Sequence, residues 1–278
     1  MKENTLNKQL TVLMFLLLNC FVSCSEDDNM ILKTVTINLT EAGTLPDKIS
    51  SSNKNKITNL KIIGDINGTD LRFIREMAGN IIGYGNLSKL DLSKAWIVEG
   101  GEAYYHNYYS SNNQLGCYVF DGCFSLTSIN IPLSVTSIGD RALSCTPLEN
   151  INIPSSVTEI KEGTFENCSS LESIKIPSNV TKIGYSAFHD CKSLRAIYIY
   201  AEKVPILPYN SRAFEGCDSK KCKVYVPIGT YDAYSRSQFG YFENIVEFDA
   251  TSFRNTIATA ENQDTTHYVV NDKKEHTH

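Results

Sequence analysis

The sequence lacks most of what enzymatic catalysis and nucleic-acid binding require. Its 278 residues carry a formal net charge of −5, so the chain has no basic excess that could bind a phosphate backbone. The nucleophile motif GxSxG, the zinc motif HExxH and the glycine-rich phosphate loop are all missing. No CxxC pair or Cys/His cluster has the spacing of a zinc site. These absences predict a chain that is not an enzyme, holds no metal or cofactor and binds no nucleic acid.

Long apolar runs are confined to the N-terminus, where the chain has the layout of an export signal. Lys2 and Lys8 precede the apolar run 10–18, and Cys24 follows Phe-Val-Ser. This resembles a bacterial lipobox, which predicts a lipoprotein signal peptide over residues 1–23 and Cys24 as the lipid anchor. A plain secretory signal or an inner-leaflet lipoprotein is the alternative.

The residues after Cys24 predict where the protein goes. The acidic run Ser25-Glu26-Asp27-Asp28 resembles the tag that sends lipoproteins of the Bacteroides group to the outer face of the outer membrane. We therefore expect an exported outer-membrane lipoprotein on the cell surface, with residues 24–34 as its tether and the lipid as its only membrane contact.

One pattern occurs three times over residues 126–193. The copies read LTSINIPLSVTSIGDRALSCTP, LENINIPSSVTEIKEGTFENCSS and LESIKIPSNVTKIGYSAFHDCKS. Leu126, Leu148 and Leu171 open them and Leu194 opens a fourth, so the spacings are 22, 23 and 23 residues. A fixed period in this range predicts a leucine-rich-type solenoid, an α/β repeat fold whose copies bury their apolar sides against each other.

Within one copy the pattern predicts a strand, a second apolar pair and a helical turn. Ile151 and Ile153 alternate with polar residues, as a strand with one buried face must, and a proline ends the strand. Val157 and Ile160 form the second pair, and a turn at Gly163 follows, with Gly139 and Gly184 serving the neighbouring copies.

The helical turn should place an aromatic residue and a cysteine on one face. Phe165 and Cys168 show this spacing, and copy one has Leu143 and Cys145 instead. The repeat position is thus predicted to hold Cys123, Cys145, Cys168, Cys191 and Cys217. We expect buried free thiols there, with surface bridges between Cys217 and Cys222, or between Cys117 and Cys123, as the alternative.

Segments on both sides of the repeats extend the pattern. ITNLKIIGDI (57–66) and LSKLDL (87–92) are strands of the repeat type, and Thr69 or Asp70 is expected to cap a short helix between them. The block 224–248 closes the array. Residues 249–278 are polar and predict a flexible tail, with a docked terminal segment as the alternative.

These segments, together with LxxIxIPxxVxxIGxxAFxxC, resemble BspA-like leucine-rich repeat proteins of Bacteroides-type bacteria over residues 35–248. The resemblance implies a right-handed superhelix of short parallel strands with N-terminal and C-terminal caps. It also implies a cell-surface location and binding to extracellular proteins or other ligands. The chain departs from the pattern after Ile199, where Tyr200 replaces the strand-ending proline and VPILPYNS lengthens the loop.

Two surfaces are candidates for binding. The first is the outward row of the strands, which includes Asn130, Asn152, Lys175, Tyr198 and Tyr225 and which otherwise is only a soluble polar surface. The second is the insert 103–111, whose tyrosines could stack on sugars or peptides or else cover the N-terminal end of the core. Its candidate residues are Tyr104, Tyr105, Tyr108 and Tyr109.

Histidines add no catalytic candidate. His189 stands where other copies have acidic residues or asparagine, which indicates a solvated turn position, and His106 lies in the tyrosine-rich insert without an evident acid or nucleophile partner. The resulting hypothesis is a non-catalytic cell-surface adhesion module for a host matrix, mucin-type or community protein. The alternatives are a glycan-binding accessory lipoprotein and a purely structural envelope protein.

Overall fold

The computed structural model describes residues 32–79 and 85–251. The predicted signal peptide, the anchor Cys24, most of the tether and nearly all of the predicted tail lie outside these residues. No helix within the described ranges is long and apolar enough to cross a membrane.

The N-terminal half is built on a parallel sheet of order β1-β2-β3-β7. Its strands are β1 (Leu32–Asn38), β2 (Ile57–Ile66), β3 (Lys89–Ile97) and β7 (Ser128–Asn130). Helices α1 (Leu45–Lys48) and α2 (Ser51–Lys54) lie between β1 and β2, and α3 (Gly68–Met77) follows β2. Strand β1 begins inside the predicted tether, because Thr34 and its neighbours pair in register with β2.

A second parallel sheet, of order β9-β11-β13-β14-β15, continues the array. Its strands are β9 (Asn150–Asn152), β11 (Ser173–Ile176), β13 (Ala196–Ile199), β14 (Lys223–Pro227) and β15 (Asn244–Phe248). Ile151, Ile174 and Ile197 are register partners and all are buried. Strand β9 follows β7 in space, since the amide of Glu149 donates to the carbonyl of Thr127 at 3.3 Å. The predicted alignment of the copies is confirmed.

The isoleucine of the second apolar pair in each copy lies in a further parallel sheet, which the sequence analysis did not predict. It contains β6 (Gln114–Leu115), β8 (Ser137–Ile138), β10 (Glu159–Ile160) and β12 (Lys182–Ile183). Ile138, Ile160 and Ile183 pair in register and face the core. The lengthened loop rejoins this sheet, because Ile206 bridges to Lys182. A separate antiparallel hairpin joins β4 (Gly100–Tyr105) and β5 (Tyr108–Ser110).

The predicted helical turn is a single hydrogen-bonded turn rather than a helix. The amide of Cys168 donates to the carbonyl of Phe165 at 3.2 Å, and Cys191 repeats this bond to Phe188 at 3.3 Å. Neighbouring turns are joined by backbone bonds of their own, as from Phe165 to the carbonyl of Ala187 at 2.9 Å. These stacked turns form a hydrogen-bonded ladder in addition to the parallel sheets, here called the turn ladder. The leucine-rich repeat fold class is confirmed, with tight turns in place of short helices.

Two positions of the turn differ from the prediction. In copy one, Thr146 occupies the buried cysteine position, while Cys145 lies one residue earlier with a positive φ of 55°. The missing residue of that copy therefore follows Thr146. Gly163 has a positive φ of 57° and aligns with Arg141 and Ser186 in the turn ladder, not with Gly139 and Gly184.

Helix α3 is capped by Asn67, two or three residues earlier than predicted. The side chain of Asn67 accepts from the amide of Thr69 at 3.0 Å, and the Asp70 carboxylate accepts from the amide of Asn67 at 2.9 Å. Asp70 is fully buried and also accepts from the amides of Gly43 and Leu45 at 2.5 and 2.9 Å. This carboxylate therefore joins the loop after β1 to the helix.

The C-terminal cap covers the last rung of the array with aromatic side chains, where a rung is one repeat stacked on its neighbours. Helix α4 (Tyr231–Ser235) and a 3₁₀ helix (Gln238–Tyr241) lie between β14 and β15. Tyr234 is fully buried, and its hydroxyl donates to the carbonyl of Ala201 at 2.7 Å. The column of stacked rings Phe165, Phe188 and Phe214, with centroids 5.3 and 5.4 Å apart, ends against Phe239 and Phe242 of this cap.

Candidate functional site

The polar residues between the buried isoleucines line up along the sheets. In the first sheet Lys61, Asp91 and Asn130 are register partners. In the second sheet Asn152, Lys175 and Tyr198 are register partners, and Tyr198 pairs in turn with Tyr225. We call this line of residues the strand-face row. It brings together all five residues that the sequence predicted for this surface.

The C-terminal end of the strand-face row is aromatic. The rings of Tyr198 and Tyr225 stack with centroids 4.5 Å apart and planes 7° apart. Phe248 of β15 approaches the rings of Tyr198, Tyr200 and Tyr225 edge-on at 6.1, 5.4 and 6.4 Å. Stacking holds the two half-buried tyrosines in one orientation, so a partner would bind them at a small entropic cost.

The N-terminal end of the strand-face row is charged instead. Lys61 Nζ lies 2.7 Å from a carboxylate oxygen of Asp91. Partial burial raises the pKa of Asp91, but the hydrogen bonds from Lys61 and Ser93 outweigh it, so the pKa lies below the ordinary value. The two ends of the row thus offer different chemistry, an ion pair at one and a pair of rings at the other.

The tyrosines of the insert form a separate cluster on the turn side. The ring of Tyr108 lies 5.2 Å from that of Tyr118 and 6.5 Å from that of Tyr105. Tyr118 belongs to the turn ladder, because its amide donates to the carbonyl of Asp140 at 2.9 Å. Tyr109 is 61% exposed. This tyrosine cluster (Tyr105, Tyr108 and Tyr118) is therefore a different surface from the strand-face row. Tyr109 follows Tyr108 in β5, so its side chain leaves the opposite face of the strand and is not part of the cluster.

Two buried residues support the tyrosine cluster. The Arg75 guanidinium lies 4.4 Å from the ring centroid of Tyr105 and donates to the carbonyls of Tyr118 and Val119 at 2.5 and 2.7 Å. Tyr104 is 3% exposed, and its hydroxyl donates to the carbonyl of Cys117 at 2.9 Å, while burial raises its pKa. Tyr104 therefore belongs to the core beneath the cluster and has little surface for a ligand.

Several residues of these surfaces were missed by the sequence analysis. Arg75 lies on α3 and Tyr118 in a turn, so neither is near the insert in the repeat pattern. Phe248 ends the last strand, where nothing in its local sequence indicates contact with two strands earlier in the chain. Of these residues only Tyr118 could have been placed in a turn from the sequence, since it precedes a Phe-to-Cys step like those of the repeats.

The repeat cysteines are buried thiols that take part in hydrogen bonds. The thiols of Cys168, Cys191 and Cys217 donate to carbonyls of the preceding rung at 3.1–3.2 Å. Burial raises the pKa of Cys168 and Cys217 to about 12, so both remain protonated donors. The expectation of buried free thiols is confirmed for Cys123, Cys168, Cys191 and Cys217, while Cys145 is a half-buried free thiol. The alternative of surface bridges is wrong, because Cys123, Cys217 and Cys222 lie in the core and are free thiols.

Charged residues on the turn side are paired with each other. Arg141 binds Glu166 at 2.6 Å, and Arg212 binds Glu215 through two hydrogen bonds of 2.5 and 2.9 Å. His189 lies between these pairs, and its side chain is only 19% exposed, so it is less solvated than predicted. Within the described ranges no group of three or more His, Cys, Asp or Glu side chains could hold a metal ion.

Comparisons with known proteins agree with the repeat architecture. The family model "BspA type Leucine rich repeat region" matches residues 105–221 in six copies. No curated protein matches the chain. The match does not reach residues 35–104 or 222–248, where the resemblance remains a prediction.

Two solved structures from bacteria are similar to this chain in part. A leucine rich cell surface protein from Faecalibacterium prausnitzii A2-165 is 22% identical, with a TM-score of 0.37, over 81% of this chain and 62% of that chain. A leucine-rich repeat protein from Bacteroides ovatus ATCC 8483 is 19% identical, with a TM-score of 0.24, over 70% of this chain and 62% of that chain. This chain thus spans 62% of the length of each.

Proposed function

Since residues 105–221 belong to the BspA type of leucine-rich repeat, we propose that this chain is a non-catalytic binding protein of the bacterial cell surface. It recognises an extracellular protein, of the host matrix or mucin type or from a neighbouring cell, through the strand-face row. The signal over residues 1–23 and the lipid on Cys24 anchor it to the outer membrane. Leucine-rich repeat families generally serve as binding modules, which supports a role without catalysis.

The observation that carries this proposal is the stacked pair Tyr198 and Tyr225 in line with Lys175 and Asn152. An array of parallel rungs holds the row on rigid strands, so its side chains are pre-organised before a partner arrives. Tyrosine is enriched among the residues that dominate protein interfaces, because it buries a large apolar area and keeps a hydroxyl for hydrogen bonding. The aromatic end of the row is therefore where binding energy should concentrate.

The double variant Tyr198→Ala/Tyr225→Ala is expected to weaken binding of the partner at least about 30-fold, since a hot-spot residue contributes about 2 kcal/mol or more. The measurement is surface plasmon resonance of the full chain against immobilised matrix proteins and mucins. Tyr185→Ala is the matched control, because Tyr185 is 47% exposed and lies on the turn side. Equal loss in the control, or unchanged binding by the double variant, contradicts the strand-face row as the site.

A second candidate function is glycan binding by the tyrosine cluster. Three rings with centroids 5.2–6.5 Å apart, supported by the Arg75 guanidinium, form an aromatic platform of the kind that stacks on sugar rings. On this proposal Tyr105, Tyr108 and Tyr118 contact the glycan, and Tyr104 holds the platform in place.

The variant Tyr105→Ala/Tyr108→Ala tests this second function. It should abolish binding of the full chain to those glycans of an array that contain no N-acetylated sugar, while Tyr198→Ala/Tyr225→Ala leaves that binding unchanged. Binding of these glycans that survives the first variant contradicts the tyrosine cluster as the site. If folded wild-type protein binds neither matrix proteins nor glycans, the remaining reading is a structural envelope protein.

A further inference from the structure

A cleft of about 440 Å³ lies at the C-terminal end of the turn ladder, apart from both proposed surfaces. The lengthened loop after β13, the last turn of the ladder and the 3₁₀ helix of the cap form its walls. Tyr209 and Tyr241 line it and are 86% and 48% exposed. Its size falls within the range of small-molecule sites, about 300–1,000 Å³.

The turn ladder ends at this cleft with its donors facing outward. In every earlier rung three alternate amides donate to three alternate carbonyls of the next rung. In the last complete step the amides of Ser186, Phe188 and Asp190 donate to the carbonyls of Ser211, Ala213 and Glu215 at 2.8 Å each. The next donors in this series are the amides of Arg212, Phe214 and Gly216, which point toward the cap because all earlier rungs donate in that direction. Among the residues that the structure describes, none accepts a hydrogen bond from these three amides.

The cap covers the last rung without replacing the missing carbonyls. Phe239 and Phe242 pack their rings against Phe214. Gln238 Nε2 donates to the carbonyls of Leu207 and Pro208 at 3.2 and 3.1 Å, and its Oε1 accepts from the Ser211 hydroxyl at 3.0 Å. The hydroxyl of Tyr241 donates to the carbonyl of Cys217 at 2.9 Å. None of these contacts uses the amides of the last turn, and two of the residues that carry those amides, Arg212 and Phe214, line the cleft.

The chemistry of the cleft selects its ligand. Amide N–H groups donate hydrogen bonds to carbonyl or ether oxygens of a ligand, and exposed tyrosine rings pack against a face of C–H groups. Arg212 and Glu215 neutralise each other through two hydrogen bonds, so the cleft offers no net charge to an ion. A peptide would fit less well, because the carbonyls of Ser211 and Ala213 already accept from the preceding rung and could not pair with its N–H groups.

We propose that this cleft binds a neutral N-acetylated hexosamine, whose acetamido carbonyl accepts from the open amide row and whose C–H face packs against Tyr209 or Tyr241. Neither of these contacts uses the anomeric oxygen, so the sugar can belong to a longer glycan. The site does not depend on the strand-face row or on the tyrosine cluster.

Titration of the ¹⁵N-labelled full chain with N-acetylglucosamine tests the proposal. We expect the amide resonances of Arg212 and Phe214, which line the cleft, to shift, and Tyr209→Ala to weaken binding at least about tenfold. Tyr185→Ala, which removes another exposed tyrosine of the turn side that does not line the cleft, and Tyr198→Ala/Tyr225→Ala should bind as wild type. Shifts absent from the two amides overturn the assignment.

Two further sugars define the ligand class. Glucose lacks the acetamido group and should bind at least about tenfold more weakly than N-acetylglucosamine. N-acetylneuraminic acid should not bind more tightly, since the cleft has no net positive charge. Equal binding of glucose, or tighter binding of the acid, overturns the proposed ligand.

Amide hydrogen exchange of the free protein tests the open donors directly. The amide of Phe214 should exchange at least about tenfold faster than its ladder equivalents Phe165 and Phe188, whose amides are bonded at 2.9 and 2.8 Å. Equal protection of the three phenylalanine amides overturns the proposal, because the donor row would then be occupied.

Discussion

The full chain carrying Ile174→Asp is expected to lose its cooperative unfolding transition. Ile174 is 1% exposed and pairs in register with Ile151 on one side and Ile197 on the other. An aspartate there would place an unpaired carboxylate among apolar side chains, which costs several kcal/mol. The lost burial of isoleucine removes about 1.5–3 kcal/mol more. Together these approach the roughly 5–15 kcal/mol that stabilises a whole domain. Circular dichroism during thermal unfolding measures the outcome.

Asn152→Asp is the matched control for this prediction. It introduces the same side chain one rung away, on the exposed side of β9, and should change the free energy of unfolding by no more than about 0.5 kcal/mol. A similar loss in both variants would show that the two faces of the strands are assigned incorrectly. A sharp, wild-type transition in Ile174→Asp would show the same.

Asp70→Ala is expected to lower the free energy of unfolding by about 3 kcal/mol or more. Its carboxylate is fully buried and accepts hydrogen bonds from the amides of Gly43, Leu45 and Asn67. The alanine variant leaves these donors unpaired, and each buried unpaired donor costs about 1–3 kcal/mol. Urea denaturation of the full chain measures the loss, and amide exchange should increase at the three donors.

Asp47→Ala serves as the control for Asp70→Ala. Asp47 lies on the exposed side of α1, so the same chemical change there should shift stability by about 0.5 kcal/mol at most. If Asp70→Ala lowers the free energy of unfolding by less than about 1 kcal/mol, or by no more than the control does, the carboxylate does not join the loop after β1 to helix α3 in the way described.

The repeat period was sufficient to predict the strands and their stacking. An apolar side chain at every second strand position, recurring every 22 or 23 residues, has one simple way to be buried, which is against its own copies. Ile151, Ile174 and Ile197 therefore lie where the pattern places them. The two-residue strands such as β10 could not be predicted in the same way, because a pair of residues shows no periodicity.

The turns were predicted less well, because their residues are selected by backbone geometry rather than by hydrophobicity. Cys145 has the expected residue type but a left-handed backbone, and Thr146 fills the buried position with its hydroxyl bonded to the Leu143 carbonyl at 2.7 Å. Sequence alignment by residue type therefore places the gap of copy one incorrectly. Only the hydrogen bonds between neighbouring turns reveal the correct register.

The strand-face row, like the strands themselves, could be predicted from the sequence. Alternation along each strand was enough to place Asn130, Asn152, Lys175, Tyr198 and Tyr225 in one outward row, because a parallel ladder in register puts equivalent positions side by side.

By itself, the amino-acid sequence determined the solenoid, its buried face and the membership of the strand-face row, since all three follow from a short period repeated locally. The tertiary structure alone decided that Arg75 supports the tyrosine cluster, that Phe248 meets Tyr198 and Tyr225, and that the turn ladder ends at an open cleft. These contacts join residues that are distant in the chain and break the repeat, so no local pattern encodes them.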